Sequence, residues 1–273
     1  MARRRDFSGK VVVVTGAGGG LGAAYSRRFA QAGAKLALLD VNAANVSAVA
    51  AELAGRGVDC RALPCDVSDE ATCQAAINAV IEHFGGIDVL INNAGITHRS
   101  AFADTESVVF HKVMAVNFFG ALYCTKAALP SLRRRQGLII AISSIAGFAP
   151  LLGRSGYAAA KHACQGLFSS LRAELAGSGV DVMIVCPGFT ATGIGTAALD
   201  GDGSVTRHPQ STVGKVASPD NVAAAVLAAA SRSQRLLVLT AVGKTTLVLN
   251  KIFPALYERI MTRSLRHELE RPS

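Results

Sequence analysis

Short aliphatic runs alternate with longer alanine-rich stretches along most of this chain. The runs hold few polar residues, and nearly continuous apolar patterns are typical of strands that are buried on both faces. The stretches between them are long enough for helices, and strands that alternate with helices predict a parallel sheet with both faces covered. We therefore predict a single α/β domain with a doubly wound sheet. Its seven strands are expected at residues 10–15, 35–40, 58–65, 87–92, 137–143, 180–186 and 235–240.

The pattern changes after the last predicted strand. Apolar positions recur at helical spacing from Leu249 to Met261, which predicts an amphipathic helix. Pro254 lacks an N–H and suits the first turn of that helix. We predict that residues 1–240 form the main domain and that residues 241–273 form a C-terminal amphipathic helical extension.

The apolar stripe of this extension needs a cover, because an exposed patch of that length favours aggregation. We expect it to pack on its own domain or on a partner subunit. Three arginines lie between or beyond the apolar positions, so peripheral contact with an anionic membrane is the alternative. They are Arg259, Arg263 and Arg266. The stripe comprises Leu249, Ile252, Phe253, Leu256, Tyr257, Ile260 and Met261.

Composition narrows the classes of partner. Half of the 273 residues are apolar and only 17% are charged, which argues against extended disorder. The formal net charge is +9, yet aromatic residues make up 5% and tryptophan is absent. Binders of single-stranded nucleic acid combine basic residues with stacking aromatics, so we expect no nucleic-acid partner. We expect the positive charge mostly on solvated faces, with an acidic ligand or an anionic membrane surface as the alternative.

The cysteines and the apolar runs bear on location. The six cysteines show no C-x-x-C spacing, so we predict neither a metal site nor a redox site. Cysteines in apolar segments fit a reducing compartment. The valine run after the basic start is too short for a signal-peptide core, and no run of 18 apolar residues occurs. We expect a cytoplasmic protein.

Glycine and polar residues follow the predicted strands at their carboxyl ends, where doubly wound sheets bind ligands. The first such segment is "TGAGGGLG", residues 15–22. Glycines let the backbone approach a pyrophosphate, and the free N–H groups of the next helix bind it. Asp40 follows the second strand. Its carboxylate can accept bonds from both ribose hydroxyls of NAD and would repel the 2′-phosphate of NADP; a helix cap or turn is the alternative role.

Residues 157–161 read "YAAAK", and the high helix propensity of alanine predicts a helix there. On a helix, Tyr157 and Lys161 are neighbours on one face. A positive charge beside a phenol favours the phenolate form, so the pair is suited to acid–base chemistry. A surface tyrosine over a lysine stem is the simpler interpretation of the pentapeptide alone.

Eight pieces of the chain resemble, in the same order, the short-chain dehydrogenases/reductases from about residue 8 to residue 240. They are "TGAGGGLG", Asp40, "CDV", "NNAG", Asn117, Ser144, "YAAAK" and "PGFTAT". Each piece alone is unspecific, whereas all eight in this order are specific. The glycine run also fits the spacing of the longer sugar-nucleotide epimerases, but the chain length and "NNAG" favour the dehydrogenase branch.

The resemblance implies a Rossmann-like fold and four catalytic residues. Ser144 lies thirteen residues before Tyr157, which is the family's spacing and the reason to prefer it to Ser143. Tyr157 would exchange a proton with a substrate oxygen that Ser144 hydrogen-bonds. Lys161 would stabilise the phenolate and hold the ribose hydroxyls. Asn117 would anchor a water that leads the proton to solvent.

The resemblance also implies how the cofactor is held. Asp66 and Val67 would flank the adenine, and Asn93 would line the cofactor cleft. Thr190 and Thr192 would reach the nicotinamide carboxamide. The implied cofactor-binding residues are Gly16, Gly18, Gly20, Leu21, Gly22, Asp40, Asp66, Val67, Asn93, Tyr157, Lys161, Thr190 and Thr192.

The function implied by the resemblance is an NAD-dependent oxidoreductase that transfers a hydride between nicotinamide and a hydrophobic secondary alcohol or ketone. Gly19 and Val41 stand where NADP-preferring relatives often carry basic residues, which supports NAD. An NADPH-dependent ketone reductase and an epimerase stay open as alternative enzymes. A non-catalytic, NAD-binding, membrane-associated protein stays open as the alternative from another class.

Substrate binding and assembly are expected to follow the family as well. Residues 193–217 would form a mobile loop over the substrate. The family's helices around residues 105–128 and 157–176 pair with copies of themselves, so we expect a homodimer or a homotetramer. The expected apolar pocket comprises Ile145, Leu151, Leu152, Phe189 and Ile194.

Overall fold

One parallel sheet organises the chain, for which the computed structural model describes residues 4–208 and 210–269. Its strand order is β3-β2-β1-β4-β5-β6-β7, so the predicted doubly wound fold is confirmed. The chain winds outward from β1 to β3 and then returns to place β4 on the other side of β1, which creates the switch point where such sheets bind ligands. The strands are β1 Val11–Thr15, β2 Lys35–Asp40, β3 Cys60–Pro64, β4 Val89–Asn92, β5 Leu138–Ile142, β6 Asp181–Cys186 and β7 Leu236–Val238.

Helices cover both faces of the sheet. Successive side chains of a strand point to opposite faces, so Val12 and Val14 pack into one apolar layer while Val11 and Val13 pack into the other. The first layer is completed by α1, α2 and α7, and the second by α3, α5 and α6. The helices are α1 Gly20–Gln31, α2 Ala43–Ala54, α3 Glu70–Phe84, α4 Ser107–Met114, α5 Gly120–Arg135, α6 Ser155–Glu174, α7 Pro219–Ser231, α8 Ala241–Ile252 and α9 Pro254–Leu265.

The helix starts differ in a way that matters for the site. Asn42, Asp69 and Ser218 accept backbone N–H bonds at the starts of α2, α3 and α7, and such caps satisfy the free donors of a first turn. Helix α1 begins after Gly19 without any side-chain cap. The first N–H groups of α1 therefore have no side-chain acceptor at the helix cap and are available to a ligand.

Within the described residues, the C-terminal extension forms two α-helices and a closing 3₁₀ turn, Arg266–Leu269, where the sequence predicted one helix. Pro254 begins α9 as predicted, but the preceding residues 241–252 form α8. Phe253 separates the two helices with non-helical backbone (φ −132°, ψ 64°), because the helical region is disfavoured for the residue before a proline. The extension packs on its own domain, where the Tyr257 hydroxyl donates to the Pro150 carbonyl and Leu265 is buried.

The longest continuous helical segment runs from Ser107 to Arg135 through α4, a π-helical turn and α5. Among the described residues, it is the one segment whose length and hydropathy would allow it to cross a bilayer. It packs against α3 and α6, and a core helix passes the same test of length and composition.

Candidate active site

The glycine-rich turn after β1 is shaped by two close backbone approaches. Gly16 has a φ of +65°, and a Cβ there would lie 2.8 Å from the Ala94 Cα. A Cβ on Gly22 would lie 2.0 Å from the Gly16 carbonyl oxygen. Neither position therefore accommodates a side chain without a shift of the backbone. The turn holds the uncapped start of α1 at the carboxyl end of the sheet.

Asp40 is fixed beside this turn by both of its carboxylate oxygens. Oδ2 accepts the Gly18 N–H at 2.8 Å, and Oδ1 accepts the Asn42 N–H at 2.9 Å. Asp40 therefore orders the glycine turn, and its side chain also lines the main cavity. Val41, the next residue, is 70% exposed.

Asn93 and Thr192 join the glycine turn to neighbouring strand ends. The Asn93 amide donates to the carbonyls of Thr15 and Gly16 at 2.9 and 3.1 Å. A Cβ on Gly20 would lie 3.4 Å from the side chain of Thr192, so the segment after β6 lies against the turn. The cavity touches Asn93, Thr192 and Thr190 together.

Tyr157 and Lys161 share one face of α6, as predicted. The Lys161 Nζ lies 5.6 Å from the centroid of the Tyr157 ring. Lys161 is only 4% exposed, and its Nζ donates to the Ile142 carbonyl at 2.9 Å. This bond uses one of three N–H donors, so two remain for a ligand. Tyr157 is half-buried and lines the cavity.

The two serines after β5 differ in their bonding. The Ser143 hydroxyl is buried, donates to the Lys161 carbonyl and accepts from the Gln165 amide, both at 3.3 Å. The Ser144 hydroxyl accepts the Ala146 N–H at 3.1 Å, which leaves its own hydrogen available. Both serines touch the cavity, and Ser144 is the one with a free donor.

Asn117 lies in the π-helical turn Ala115–Phe119. Its Nδ2 donates to the Ile96 and Val113 carbonyls, both at 2.8 Å. Its Oδ1 is buried without a partner among the described residues. A Cβ on Gly95 would lie 2.6 Å from this oxygen and 3.5 Å from the Lys161 Nζ. The unpartnered oxygen and the lysine therefore face the same small space, and single π turns are frequent at functional sites.

One cavity of about 940 Å³ joins these groups. It extends from the glycine turn past Ser144 and Tyr157 to the C-terminal extension. Four of the five residues predicted for an apolar pocket line it, namely Ile145, Leu151, Phe189 and Ile194, whereas Leu152 does not.

Several residues predicted to hold the cofactor do not touch this cavity. Gly18 acts on the site through its bond to Asp40, and Gly22 through its close packing on Gly16. Asp66 is exposed, and its carboxylate accepts bonds from the Ser68 backbone and hydroxyl. Val67 is buried against Gly120. The adenine contact of Asp66 and Val67 stays a prediction.

The sequence interpretation missed the far wall of the cavity. Arg99 and Arg154 are 3% and 4% exposed and line it. Helices α8 and α9 add Leu249, Tyr257, Ile260, Met261 and Leu265. The polar segment "HRS" at residues 98–100, a few residues after the end of β4, is the sequence feature from which Arg99 could have been found.

His98 beside this wall is neutral. Its Nε2 accepts the Gly156 N–H at 3.0 Å, so the proton is on Nδ1, which faces the Ser100 hydroxyl. Burial, together with the charge of Arg154, lowers the pKa of His98 to about 4. The histidine therefore fixes the start of α6 through Gly156, the second residue of that helix, and it adds no charge.

The comparisons with known proteins agree with this geometry. The family model described as short chain dehydrogenase matches residues 10–202. The chain belongs to the short-chain dehydrogenase/reductase family. The recognised resemblance is therefore confirmed, and with it the nicotinamide-dependent oxidoreductase class of the family.

Relatives match nearly the whole chain. Dehydrogenase/reductase SDR family member 7B of Bos taurus is 39% identical over 267 residues, which cover 94% of this chain and 82% of the relative. Dehydrogenase/reductase SDR family protein 7-like of Drosophila melanogaster is 35% identical over 266 residues, which cover 95% of this chain and 82% of the relative. The similarity therefore includes most of the C-terminal extension.

Solved structures show the same fold with either nicotinamide cofactor. A short-chain dehydrogenase/reductase from Burkholderia phymatum in complex with NAD matches with a TM-score of 0.83 at 26% identity, over 92% of this chain and 96% of that one. An alcohol dehydrogenase from the archaeon Thermococcus sibiricus, complexed with 5-hydroxy-NADP, matches with a TM-score of 0.72 at 28% identity, over 84% and 94%.

Proposed function

We propose that this protein is an NAD-dependent oxidoreductase that transfers a hydride between the nicotinamide and a hydrophobic secondary alcohol or ketone. The observation that carries the proposal is the common cavity. Ser144, Tyr157 and Lys161 open onto the same space as Asp40 and the glycine turn. A proton-transfer group and a dinucleotide cradle in one cleft are what this reaction requires.

The residues at the glycine turn fit a dinucleotide. Gly16 and Gly22 leave no room for a Cβ, and the start of α1 has no side-chain cap. Together they offer bare backbone N–H groups and the positive end of a helix dipole to a pyrophosphate. When bound, the nicotinamide supplies the acceptor or the donor of the hydride.

Tyr157 acts on the substrate oxygen. In the oxidative direction its phenolate takes the hydroxyl proton, and in the reductive direction its phenol returns it. The Ser144 hydroxyl donates its free hydrogen to the same oxygen and stabilises charge that develops there. The Lys161 ammonium stabilises the phenolate.

The proton then needs a route out of a buried site. The unpartnered Asn117 Oδ1 and the Lys161 Nζ face one small space beside Gly95. A water held there accepts from Lys161 and donates to Asn117. Asn117 is thus proposed as the anchor of the proton path.

Asp40 supports NAD as the preferred cofactor. Each of its oxygens accepts one backbone N–H, and each keeps a lone pair for a ribose hydroxyl. A fixed carboxylate repels a 2′-phosphate, and the neighbouring Val41 provides no positive charge to offset it. The alternative is the NADPH-dependent reductase.

Assembly and location are part of the proposal. We expect a cytoplasmic homodimer or homotetramer that pairs through α5 and α6, with the apolar face of the extension covered by a second copy. Within one chain, Ile252, Phe253, Leu256 and Ile260 are 49–59% exposed. Light scattering that shows only a 28.2 kDa monomer, or flotation of the protein with anionic vesicles, would favour lipid as the cover instead.

The experiment that tests the proposed reaction is an absorbance assay of reduced nicotinamide. Secondary alcohols of increasing chain length are offered with NAD and with NADP, and the matching ketones with the reduced forms. We expect turnover with NAD that improves with chain length. Faster turnover with NADP would establish the reductase alternative, and no turnover with any pair would reject the proposed reaction.

A further inference from the structure

Two buried arginines lie in the wall of the cavity beside residues 193–208, residues 210–215 and the C-terminal extension. The Arg99 guanidinium donates from Nη1 to the His208 carbonyl and from Nη2 to the Gly195 carbonyl. The Arg154 Nη2 donates to the Glu268 Oε1 at 2.9 Å and lies 2.8 Å from Oε2, which accepts no hydrogen bond from the described residues. Both arginines therefore hold other segments against the cavity.

The buried charges in this wall do not balance. Glu268 is fully buried and pairs with Arg154. Arg99 pairs with no carboxylate of the described residues. The Nε atoms of both arginines are buried without a partner among these residues. Among the described residues the two guanidinium groups thus share one buried carboxylate, which leaves one positive charge in surplus. Burial and the charge of Arg154 lower the pKa of Arg99, and Glu268 acts in the opposite direction.

No other group of the described cavity wall offsets this surplus. Among the described residues, the one carboxylate that lines the cavity is Asp40, at the glycine turn. Lys215 also lines the cavity and adds to the positive charge. Burying an unpaired charge is costly, so a buried surplus guanidinium beside a ligand cavity points to a ligand that brings the missing negative charge.

A purely structural role for Arg99 is the competing explanation, and Arg172 shows what such a role looks like. Arg172 also donates to two backbone carbonyls, those of Val182 and Arg235. However, it lies outside the cavity and is partly exposed. Its charge is therefore solvated, whereas the charge of Arg99 faces a cavity that a substrate would seal from water.

We propose that Arg99 is a specificity residue that binds an anionic oxygen group, carboxylate or phosphate, at the end of an otherwise apolar substrate. Arginine suits this task because its planar fork matches both groups. Leu249, Ile260 and Met261 supply the apolar wall for the rest of the molecule. The substrate class is thus narrowed from hydrophobic alcohols or ketones to amphiphilic ones with one anionic end. This inference rests on the proposed function only in treating the cavity as the substrate site.

Binding without turnover tests the inference separately from the proposed reaction. Octanoate, octyl phosphate and octan-1-ol are titrated by calorimetry into the full-length protein in the presence of NAD. We expect at least one anion to bind about tenfold to a hundredfold more tightly than the alcohol. This factor is the change in affinity that one hydrogen bond to a charged group typically provides. The tighter of the two anions identifies the anionic group.

Arg99→Gln removes the charge and keeps a polar side chain of similar reach. We expect it to abolish most of the preference for the anion and to leave the affinity for octan-1-ol within about threefold. Arg172→Gln is the matched control, because it loses the same kind of carbonyl bonds away from the cavity, and it is expected to keep the preference. If Arg99→Gln does not fold, Arg99→Lys keeps the charge without the fork, and it is expected to lose about threefold to tenfold of the preference.

Two results would overturn the inference. One is a wild-type protein that binds neither anion more tightly than the alcohol. The other is an unchanged preference in a folded Arg99 variant. Anion binding that depends on Arg99, in a protein that turns over no alcohol or ketone, would support the inference and reject the proposed reaction instead.

Discussion

The two ends of the cavity are built on different principles. At the cofactor end, the glycine turn, Asp40 and Asn93 all follow strand ends and are joined by bonds to backbone groups. At the substrate end, loops and helices outside the sheet are joined by side chains that reach residues about a hundred positions away, as in Arg154 to Glu268 and Tyr257 to Pro150. Sheet register therefore fixes the first end, and long-range side-chain contacts fix the second. A substitution at the substrate end is therefore expected to leave the cofactor cradle intact.

The variant with the largest expected effect acts where the two ends meet. Tyr157→Phe removes the proton-carrying hydroxyl and keeps the ring, so turnover is expected to fall by about 10²–10⁴-fold. Cofactor affinity, measured by fluorescence titration, is expected to stay within about threefold. Near-normal turnover in this variant would contradict the proposed acid–base role.

Glu268→Gln is expected to break the substrate end alone. It leaves the buried Arg154 charge without its partner, which typically costs about 3–5 kcal/mol of unfolding free energy. Chemical denaturation measures this loss, and cofactor affinity of the folded protein is expected to persist. The double variant Arg154→Met/Glu268→Leu removes both charges and is expected to recover most of the stability. If it does not, the unpaired charge is not the main cause of the loss in Glu268→Gln.

Gly22→Ala is the corresponding break at the cofactor end. A Cβ there would meet the Gly16 carbonyl oxygen at 2.0 Å, so we expect a loss of about 1–3 kcal/mol in stability and at least about tenfold weaker NAD binding. The control is Gly19→Ala, where a Cβ would meet nothing within 4 Å. Equal effects of the two substitutions would show that close packing is not what the turn requires.

The substrate end is also expected to respond to acid through His98. Its pKa is lowered to about 4, whereas an unfolded histidine titrates near about 6.5. Between these values the unfolded chain binds the proton and the folded chain does not. The contribution of neutral His98 to the free energy of unfolding is therefore fully present above about pH 6.5. It is lost as the pH drops toward 4, which lowers the free energy of unfolding by about 1–3 kcal/mol.

His98→Gln removes this titration while an acceptor for Gly156 is kept. Its stability curve, measured by denaturation from pH 7 to pH 4.5, is expected to be flatter than that of the wild type. The exposed His162 provides the control, since His162→Gln is expected to retain the wild-type slope. A His98 variant with the wild-type slope would refute the assignment.

The smallest expected effect concerns the choice between NAD and NADP at the cofactor end. Asp40→Ala is expected to weaken NAD binding by at least about tenfold, because the ribose loses hydrogen bonds to a charged group, and to raise the NADP to NAD affinity ratio. Adding Val41→Arg is expected to raise the ratio further. Asp66→Ala, at an exposed carboxylate outside the cavity, is expected to leave the ratio unchanged. Tighter binding of NADP than NAD by the unmodified protein would contradict the assigned role of Asp40.

The sequence by itself determined the sheet, the glycine turn and the pairing of Tyr157 with Lys161. These features depend on short-range patterns, because buried parallel strands require continuous apolar runs and a helix places residues four apart on one face. The strand ends then bring their polar residues to one edge without further information.

Only the tertiary structure decided the far wall of the cavity. Nothing near Arg99 or Arg154 in the chain indicates that their partners lie at Gly195, His208 and Glu268. The break between α8 and α9 follows locally from Pro254, but which face of these helices meets the cavity does not. Contacts between segments about a hundred residues apart depend on how whole helices and loops pack. This packing places both arginines in the cavity wall with a single buried carboxylate among the described residues, and it thereby makes the substrate end positively charged.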